Sequence, residues 1–352
     1  MRASKRLFYL VLLALAAGAA TQSWLWWSWA TAPVLAKEGK QAEDSFVQIQ
    51  IPAGTGANQI GHDLEAAGLI RSTTAWKLYS KLKARGSEGG FQAGSYLISP
   101  TQSLAEISST IWNGEVVQTS FTIPEGWNRT QMAERFEEKG LTTAAEFLAA
   151  TEKIPYERFP WLPKDIPHVE GFLYPDTYQI DSGKISAEEL VDLMLQRFEQ
   201  VALPVYNDQP SDYSLLEWVT LSSLVEKEAV VTDERDLIAS VFARRLEDGM
   251  TLGSDPTVEY GLGIVQTPEN PLTLDQVRTP NEYNTYINPG LTPTPIASPG
   301  LASLKASLDP APTEFLYFVA RYDGTHVFSR TLADHEEAQA QIRDRIDATP
   351  TQ

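Results

Sequence analysis

One glutamate on an otherwise uncharged helical face is the most reactive arrangement in the sequence. Residues 214–230 contain no glycine or proline and predict a single helix. On a wheel of about 100° per residue with Leu215 at zero, Glu226 falls near 20°, between Leu215 and Val219. Its neighbours at spacings of three and four are Ser222, Ser223, Ala229 and Val230, small or apolar and none of them charged. Once covered, a carboxyl on such a face is costly to ionise and keeps its proton towards neutral pH. An acid of that kind can protonate a leaving oxygen. Glu228, near about 220° beside Glu217, and Lys227, near about 120°, are expected as solvent-facing charges. The same wheel also fits a buried glutamate bonded to a loop amide or an arginine and doing no chemistry.

A second group of polar side chains follows the helix. Asp255, Thr257 and Tyr260 lie in one stretch, and Tyr283, Asn284 and Tyr286 in another. Together they offer hydroxyl, amide and carboxylate groups with flat ring faces, an inventory suited to sugar rings in a cleft. Turn chemistry and half-buried core account for the same residues equally well. Ten of the 22 prolines fall between Pro256 and Pro312, which predicts rigid irregular loops, the material of groove walls. Glu170 and Asp176, acids close to glycine and proline, complete the set of candidate substrate contacts and read equally as solvated turns.

Other chemistries are excluded by composition or spacing. There is no cysteine, so no thiolate nucleophile, disulfide or thiolate metal site. His62, His168, His326 and His335 are too scattered for a histidine metal site, and nothing calls for a cofactor. His335-Glu336-Glu337-Ala338-Gln339 has glutamine where a zinc-protease helix has its second histidine; Gly261-Leu262-Gly263 lacks a third glycine; and no Gly-x-Ser-x-Gly elbow occurs. With 28 basic against 46 acidic residues the formal charge is −18, which argues against a nucleic-acid partner.

These residues must be positioned by elements the pattern also predicts. A second helix, capped by Thr232 or Asp233 and stopped at Gly249, follows the Glu226 helix. Further upstream, Ile51-Pro52-Ala53-Gly54 is matched 72 positions later by Ile123-Pro124-Glu125-Gly126. The same offset carries Ile60 to Met132, Leu64 to Phe136, and Gly68-Leu69 to Gly140-Leu141. Each copy reads as a strand, a Pro/Gly turn and an amphipathic helix ended by glycine. The first continues through a helix from Thr73 to Lys83, a strand around Ser95 to Ile98 and a helix from Ser103 to Trp112, and resembles a small carbohydrate-binding LysM-like module. Two ordinary α+β units of similar topology remain the alternative. Asn128-Arg129-Thr130 fits a glycosylation sequon, too short a match to carry weight. Strands at Phe315 to Ala320 and Thr325 to Phe328 and a helix from Leu332 to Asp347 end the chain.

At the other end, Leu7 to Ala36 holds no charged residue and Trp24, Trp26, Trp27 and Trp29 cluster within it. A helix of about 20 apolar residues crosses a bilayer, and tryptophans gather where it emerges. Arg2, Lys5 and Arg6 place its basic end in the cytoplasm. A cleaved signal peptide, with Ala17-Gly18-Ala19 as its small residues, is the competing reading.

From Glu226 onward the motifs accumulate. Leu224-Val225-Glu226-Lys227-Glu228-Ala229, Glu234-Arg235-Asp236, Ser240-Val241-Phe242, Arg245-Leu246, Ser254-Asp255-Pro256-Thr257-Val258-Glu259-Tyr260-Gly261, Tyr283-Asn284-Thr285-Tyr286, Gly290-Leu291 and Ala297-Ser298-Pro299-Gly300 follow in order, preceded by Glu170-Gly171-Phe172-Leu173-Tyr174-Pro175-Asp176-Thr177-Tyr178. Through these the chain resembles the YceG-like family of endolytic murein transglycosylases. The acidic balance and the stretch Ile264 to Pro271 carry no part of that likeness.

The resemblance implies an α+β protein that cuts peptidoglycan glycan internally, with Glu226 as catalytic residue and neither metal nor cofactor. Its implied layout is a cytoplasmic tail (1–6), a transmembrane helix (7–30), a linker (31–44), a LysM-like module (45–119) and a catalytic domain (120–348). Implied partners are glycan strands, the membrane and glycan-synthesis machinery such as penicillin-binding proteins, and the place is the outer, periplasmic side of a bacterial plasma membrane. Glu226 would protonate the oxygen between MurNAc and GlcNAc and then take the C6 hydroxyl proton, leaving 1,6-anhydroMurNAc ends and ending strand elongation. A silent glycan-binding scaffold and a glycoside hydrolase, which needs a second carboxylate about 5 Å away, remain rivals.

Overall fold

The computed structural model describes residues 2–35, 45–86, 89–181, 185–267, 270–321 and 323–348. Most of the expected linker, residues 36–44, lies outside them. The chain is mixed α+β, as expected, and divides into two compact units: residues 1–121 with 179–184, and residues 122–178 with 185–352.

The first unit begins with helix α1 (Arg2–Thr31). Among the described residues Leu10–Thr31 is the one helical stretch long and apolar enough to cross a membrane, and it is exposed except at its last turn. The unit's core is built on strand β1 (Val47–Ile51), helices α2 (Ala57–Ala66) and α3 (Thr73–Gly86), strand β2 (Gly94–Ile98) and helix α4 (Leu104–Asn113). β1 and β2 pair antiparallel, from Val47 opposite Ile98 to Ile51 opposite Gly94. Ile60, Leu64, Trp76, Tyr96, Ile98 and Ile107 form the apolar centre. Gly61 is required at its place because a Cβ there would stand 2.4 Å from the Trp76 ring. The last turn of α1 joins this core through Ala30 and Trp27.

Strand β3 (Gln118–Thr122) pairs with β4 (Thr177–Asp181). The second unit then holds α5 (Arg129–Glu138), α6 (Ala144–Glu152), α7 (Ala187–Asn207), α8 (Leu215–Glu228), a 3-10 turn (Thr232–Glu234), α9 (Arg235–Glu247), α10 (Asp255–Leu262), the short α11 (Leu274–Val277), α12 (Leu301–Leu308), strands β5 (Tyr317–Ala320) and β6 (His326–Ser329), and α13 (Leu332–Ala348). The centre is α8. Trp218 through Val225 are all buried, so it is an internal helix packed by α9, α10 and α12 and not a surface helix with one wet face. Its buried hydroxyls are satisfied locally: Thr220 donates to Leu216 O (2.7 Å), Ser222 to Trp218 O (2.8 Å) and Ser223 to Thr220 O (2.7 Å). Trp218 Nε1 donates to Leu304 O (2.9 Å), tying α8 to α12.

The elements read from the pattern fall within a few residues of their observed bounds, with two corrections: the proline-rich stretch expected as irregular loops also carries α10, α11 and α12, Pro256 being accepted in the first turn of α10, and one helix start differs. Neither Thr232 nor Asp233 caps α9. They form the 3-10 turn, and the N-cap residue is Glu234, whose side chain makes no capping bond.

Candidate active site

Glu226 lies in the last turn of α8, where Ser214 and Glu217 form a capping box at the opposite end. Its side chain is 7% exposed. Oε2 accepts the Ser303 hydroxyl at 2.6 Å and the Gly300 N–H at 3.1 Å, and Oε1 faces Arg235 Nη2 at 3.6 Å. The expectation of a carboxyl among apolar groups without charges is therefore corrected. The wheel gives the neighbours on α8 itself, whereas the polar partners arrive from the starts of α9 and α12. Arg235 is held in place by its own bond from Nε to Ser303 Oγ, 3.1 Å.

A loop that the sequence offered only as a turn completes the surroundings. Gly126 N donates to Ser298 O (2.9 Å) and Ser298 N to Trp127 O (2.8 Å), so the turn after β3 is laced to the irregular segment leading into α12. Glu125, in that turn, abuts Gly300: a Cβ at position 300 would fall 2.0 Å from Glu125 Oε1, so a larger residue there would displace the Glu125 carboxyl. Glu125 is exposed. Its carboxyl is raised above the ordinary range by desolvation first and by the charge of Glu226 second, with Arg235 opposing.

Glu228 points away from Glu226, as its position two residues on requires, yet it is not solvent-facing. Its Oε1 accepts the Ser254 hydroxyl at 2.5 Å. Burial, aided by Asp255 and Glu259 and opposed by Ser254, pushes its pKa up to about 7. The reason is tertiary: the segment before α10 covers that side of α8.

The six residues after α8 divide by exposure. Tyr286 is 41% exposed and donates to Asp255 Oδ1 at 2.7 Å, an accessible polar pair. Thr257 and Asn284 are buried, and their polar atoms are spent inside the protein. Thr257 Oγ1 donates to Ser254 O (2.6 Å) and lies 2.8 Å from Thr285 Oγ1, while Asn284 Nδ2 donates to Val277 O and Thr279 O at 2.8 and 3.0 Å. They shape the loops that any ligand would meet. Tyr260 and Tyr283 pack against each other with rings tilted by 58° and centroids 4.9 Å apart. Tyr283 OH is 3.0 Å from Thr294 Oγ1, and Tyr260 OH donates to Glu170 Oε2 at 3.2 Å.

Glu170 is fully buried and accepts the Arg129 N–H on both oxygens, each at 3.1 Å, so it fastens the first turn of α5. Desolvation, opposed chiefly by the Arg129 backbone bond, pushes its pKa up to about 7. Asp176 is part-buried, accepting from Arg197 Nε at 2.6 Å and from the Thr177 N–H at 2.7 Å. Of the eight proposed contacts, Asp255 and Tyr286 are the pair with a shared open face, and Glu170 and Asp176 serve as fasteners.

A family model for the YceG-like family matches residues 49–341. The chain belongs to this family. It is 31% identical over 307 residues to an endolytic murein transglycosylase of Bacillus subtilis, covering 83% of this chain and 84% of that protein. An endolytic murein transglycosylase of Streptococcus pneumoniae is 30% identical over 326 residues, covering 84% of this chain and 58% of its relative, so this chain spans little more than half of that protein. The crystal structure of a putative yceG-like protein from Listeria monocytogenes matches with a TM-score of 0.55 at 30% identity, covering 84% of this chain and 99% of the other.

Sequence reasoning missed Glu125, and it met Arg235 and Gly300 only as letters within the matched motifs. Ser303 carried no signal at all. One clue to Glu125 was available: it is an exposed charge in a turn whose earlier copy has alanine.

Proposed function

We propose that this chain is a membrane-anchored endolytic peptidoglycan transglycosylase with Glu226 as its catalytic residue. The observation that carries the reading is the Glu226 carboxylate at the end of a buried helix, oriented by Ser303, Gly300 and Arg235 inside a chain that belongs to the YceG-like family. Relatives from two bacteria are named endolytic murein transglycosylases, which supports peptidoglycan as substrate.

The reaction breaks the bond from MurNAc C1 to the GlcNAc oxygen and closes one from C1 to MurNAc O6. A proton must reach the departing oxygen, and one must leave the C6 hydroxyl. Glu226 takes the second proton and, if a single carboxyl serves twice, also gives the first. Asp255 and Tyr286 offer hydrogen bonds and a ring face to sugars; Thr257, Asn284, Tyr260, Tyr283, Glu170 and Asp176 hold the loops in shape.

In this reading α1 anchors the chain in the plasma membrane with the catalytic unit outside, residues 45–119 bind glycan as a LysM-like module, and residues 120–348 cut nascent strands and so end their elongation beside the synthases. The test is mass spectrometry of uncrosslinked glycan strands incubated with the full chain in detergent, as wild type and as Glu226→Gln. Internal fragments with 1,6-anhydro ends from the wild type alone are expected. Reducing ends would identify a hydrolase, and turnover by Glu226→Gln would remove that residue from the mechanism. Glycan binding without cleavage by the wild type would favour the scaffold.

A further inference from the structure

A mechanism with one carboxyl asks the same group to give a proton and then take one, although a second carboxyl stands beside it. Glu125 and Glu226 bracket a single residue. The Gly300 N–H donates to Glu226 Oε2 at 3.1 Å, while the Cβ that Gly300 lacks would overlap Glu125 Oε1 at 2.0 Å. The backbone of the Glu125 turn is held there, laced to Ser298 through Gly126 and Trp127.

The two groups differ in what they face. Both oxygens of Glu226 look at donors, and its side chain is almost closed off. That is the setting of an acceptor. Glu125 is exposed and has no hydrogen bond or ion pair among the described residues. Desolvation first and the charge of Glu226 second raise its pKa above the ordinary carboxylate range, with Arg235 opposing. The charged groups facing it are Glu226 from α8 and Arg235 from α9; Lys227 lies by Gly126, and Tyr174 has its hydroxyl raised in part by Glu125. An open carboxyl beside a closed one that already faces Ser303, Gly300 and Arg235 can divide acid from base.

We propose that Glu125 is the general acid of the reaction and Glu226 the general base. Glu125 gives its proton to the GlcNAc oxygen as the C1–O bond breaks. Glu226 removes the proton from the MurNAc C6 hydroxyl as the C1–O6 bond forms. One proton has then moved from Glu125 to Glu226, and its return through water at the open Glu125 carboxyl restores the starting state. No water is consumed, so the product end stays 1,6-anhydro. This rests on the function proposed above and divides the work of its site between two residues.

The test compares two substrates across pH with the full chain: natural glycan strands, and a strand ending in a 4-nitrophenyl glycoside of MurNAc, whose leaving group departs without a proton. Glu125→Gln is expected to lower kcat on natural strands by about 10²–10⁴-fold, the usual worth of a positioned acid. It should also abolish the fall in rate as pH rises through the Glu125 pKa, leave KM near its original value, and retain release of nitrophenol to within a few-fold. Glu226→Gln should fail on both substrates. Equal losses on both substrates for Glu125→Gln, or no loss on either, would overturn the assignment and return both steps to Glu226. Turnover of natural strands by Glu226→Gln would overturn the base role, whereas glycan binding without cleavage by the wild type would refute the underlying function, so the two failures are distinguishable. Glu125 is exposed, so thermal unfolding of its variant is expected to match the wild type, and a lowered midpoint together with lost nitrophenol release would count against the acid role.

Discussion

The turn Ile51-Pro52-Ala53-Gly54 in the first unit and Ile123-Pro124-Glu125-Gly126 in the second are two executions of one local plan. Ile51 and Ile123 are both buried, and Gly54 and Gly126 take left-handed φ of 80° and 75°. Helices α2 and α5 follow, ten residues each, burying Ile60 and Leu64 in one and Met132 and Phe136 in the other. Both end alike, with Leu69 N bonded to Leu64 O at 2.9 Å and Leu141 N to Phe136 O at 3.0 Å across glycines at φ 71° and 67°. The differences lie where folding makes no demand. The first turn closes on itself, Thr55 N and Oγ1 both reaching Pro52 O, whereas the second sends Gly126 N outward to Ser298 O. Exposed Ala53 is replaced by exposed Glu125. Positions that build the unit are repeated, and positions free of that task are those a site can use.

The largest expected effect comes from erasing this difference. Glu125→Ala makes the second turn read like the first and should cost about 10²–10⁴-fold in the rate of glycan cleavage with the fold retained. The reciprocal Ala53→Glu should leave the rate unchanged, since nothing in the first copy receives a carboxyl there. Product quantification by mass spectrometry on both variants checks the pair, and an equal loss from both would mean that the turns do the same work.

Next in size are the shared core positions. Phe136→Ala should cost about 3–5 kcal/mol and Leu64→Ala about 2–5 kcal/mol, because each empties a filled core site. Hydrogen exchange should place the first loss in α5 and α6 and the second in α2 and α3. Phe136 packs edge-on to Phe147 with centroids 4.7 Å apart, which ties α5 to α6. A Phe136→Ala variant whose α5 amides keep full protection would show that the repeat pattern misidentifies the core.

How much of this was legible follows the same division. The repeat, the glycine stops and the α8 helix were readable because each rests on local periodicity or backbone sign. The wheel put Glu226 on a covered face but among uncharged neighbours, because it lists one helix only; Gly300 N–H and Arg235 come from elsewhere and match the alternative of a buried glutamate bonded to an amide or an arginine. Glu228 was misplaced on the surface for the same reason, Ser254 being 26 residues away. Thr257 and Asn284 have the chemistry of sugar contacts, but their hydrogen bonds are spent within loops whose path no periodicity announces. Glu170 read as a turn acid, while in the structure it spans 41 residues to the Arg129 N–H.

Burial of Glu170, only partly offset by that bond, makes the second unit sensitive to pH. The Glu170 pKa is raised to about 7 in the folded chain, above its ordinary unfolded value. The folded state therefore holds a proton that the unfolded state has lost, and the stability linked to it is full below the unfolded value and disappears as pH rises through 7. Melting of the second unit should fall between pH 5 and 8, with Glu228, also raised to about 7, adding to the slope. Glu170→Gln should flatten the dependence. An unchanged slope would assign it to Glu228.

The smallest effect lies at the helix starts. Asn128 and Gln131 form a capping box on α5, Gln131 N donating to Asn128 Oδ1 at 2.9 Å and Asn128 N to Gln131 Oε1 at 3.0 Å. The first copy also carries glutamine at the third helical position, Gln59, but its cap is Gly56, which has no side chain to complete the box. Gly56 does not need to be glycine: its φ is −70°, and a Cβ there meets nothing within 4 Å. Asn128→Ala should therefore cost about 1 kcal/mol, and Gly56→Asn should gain a few tenths, roughly the known gap between glycine and asparagine caps. Gln59 donates from Nε2 to Asp63 Oδ1 at 2.7 Å, a bond it would trade for the box, which keeps the gain small. Denaturant midpoints of the single variants decide the matter. A Gly56→Asn chain less stable than the original would mean that the two helix starts are not equivalent, and that the likeness of the copies ends before the first turn of the helix.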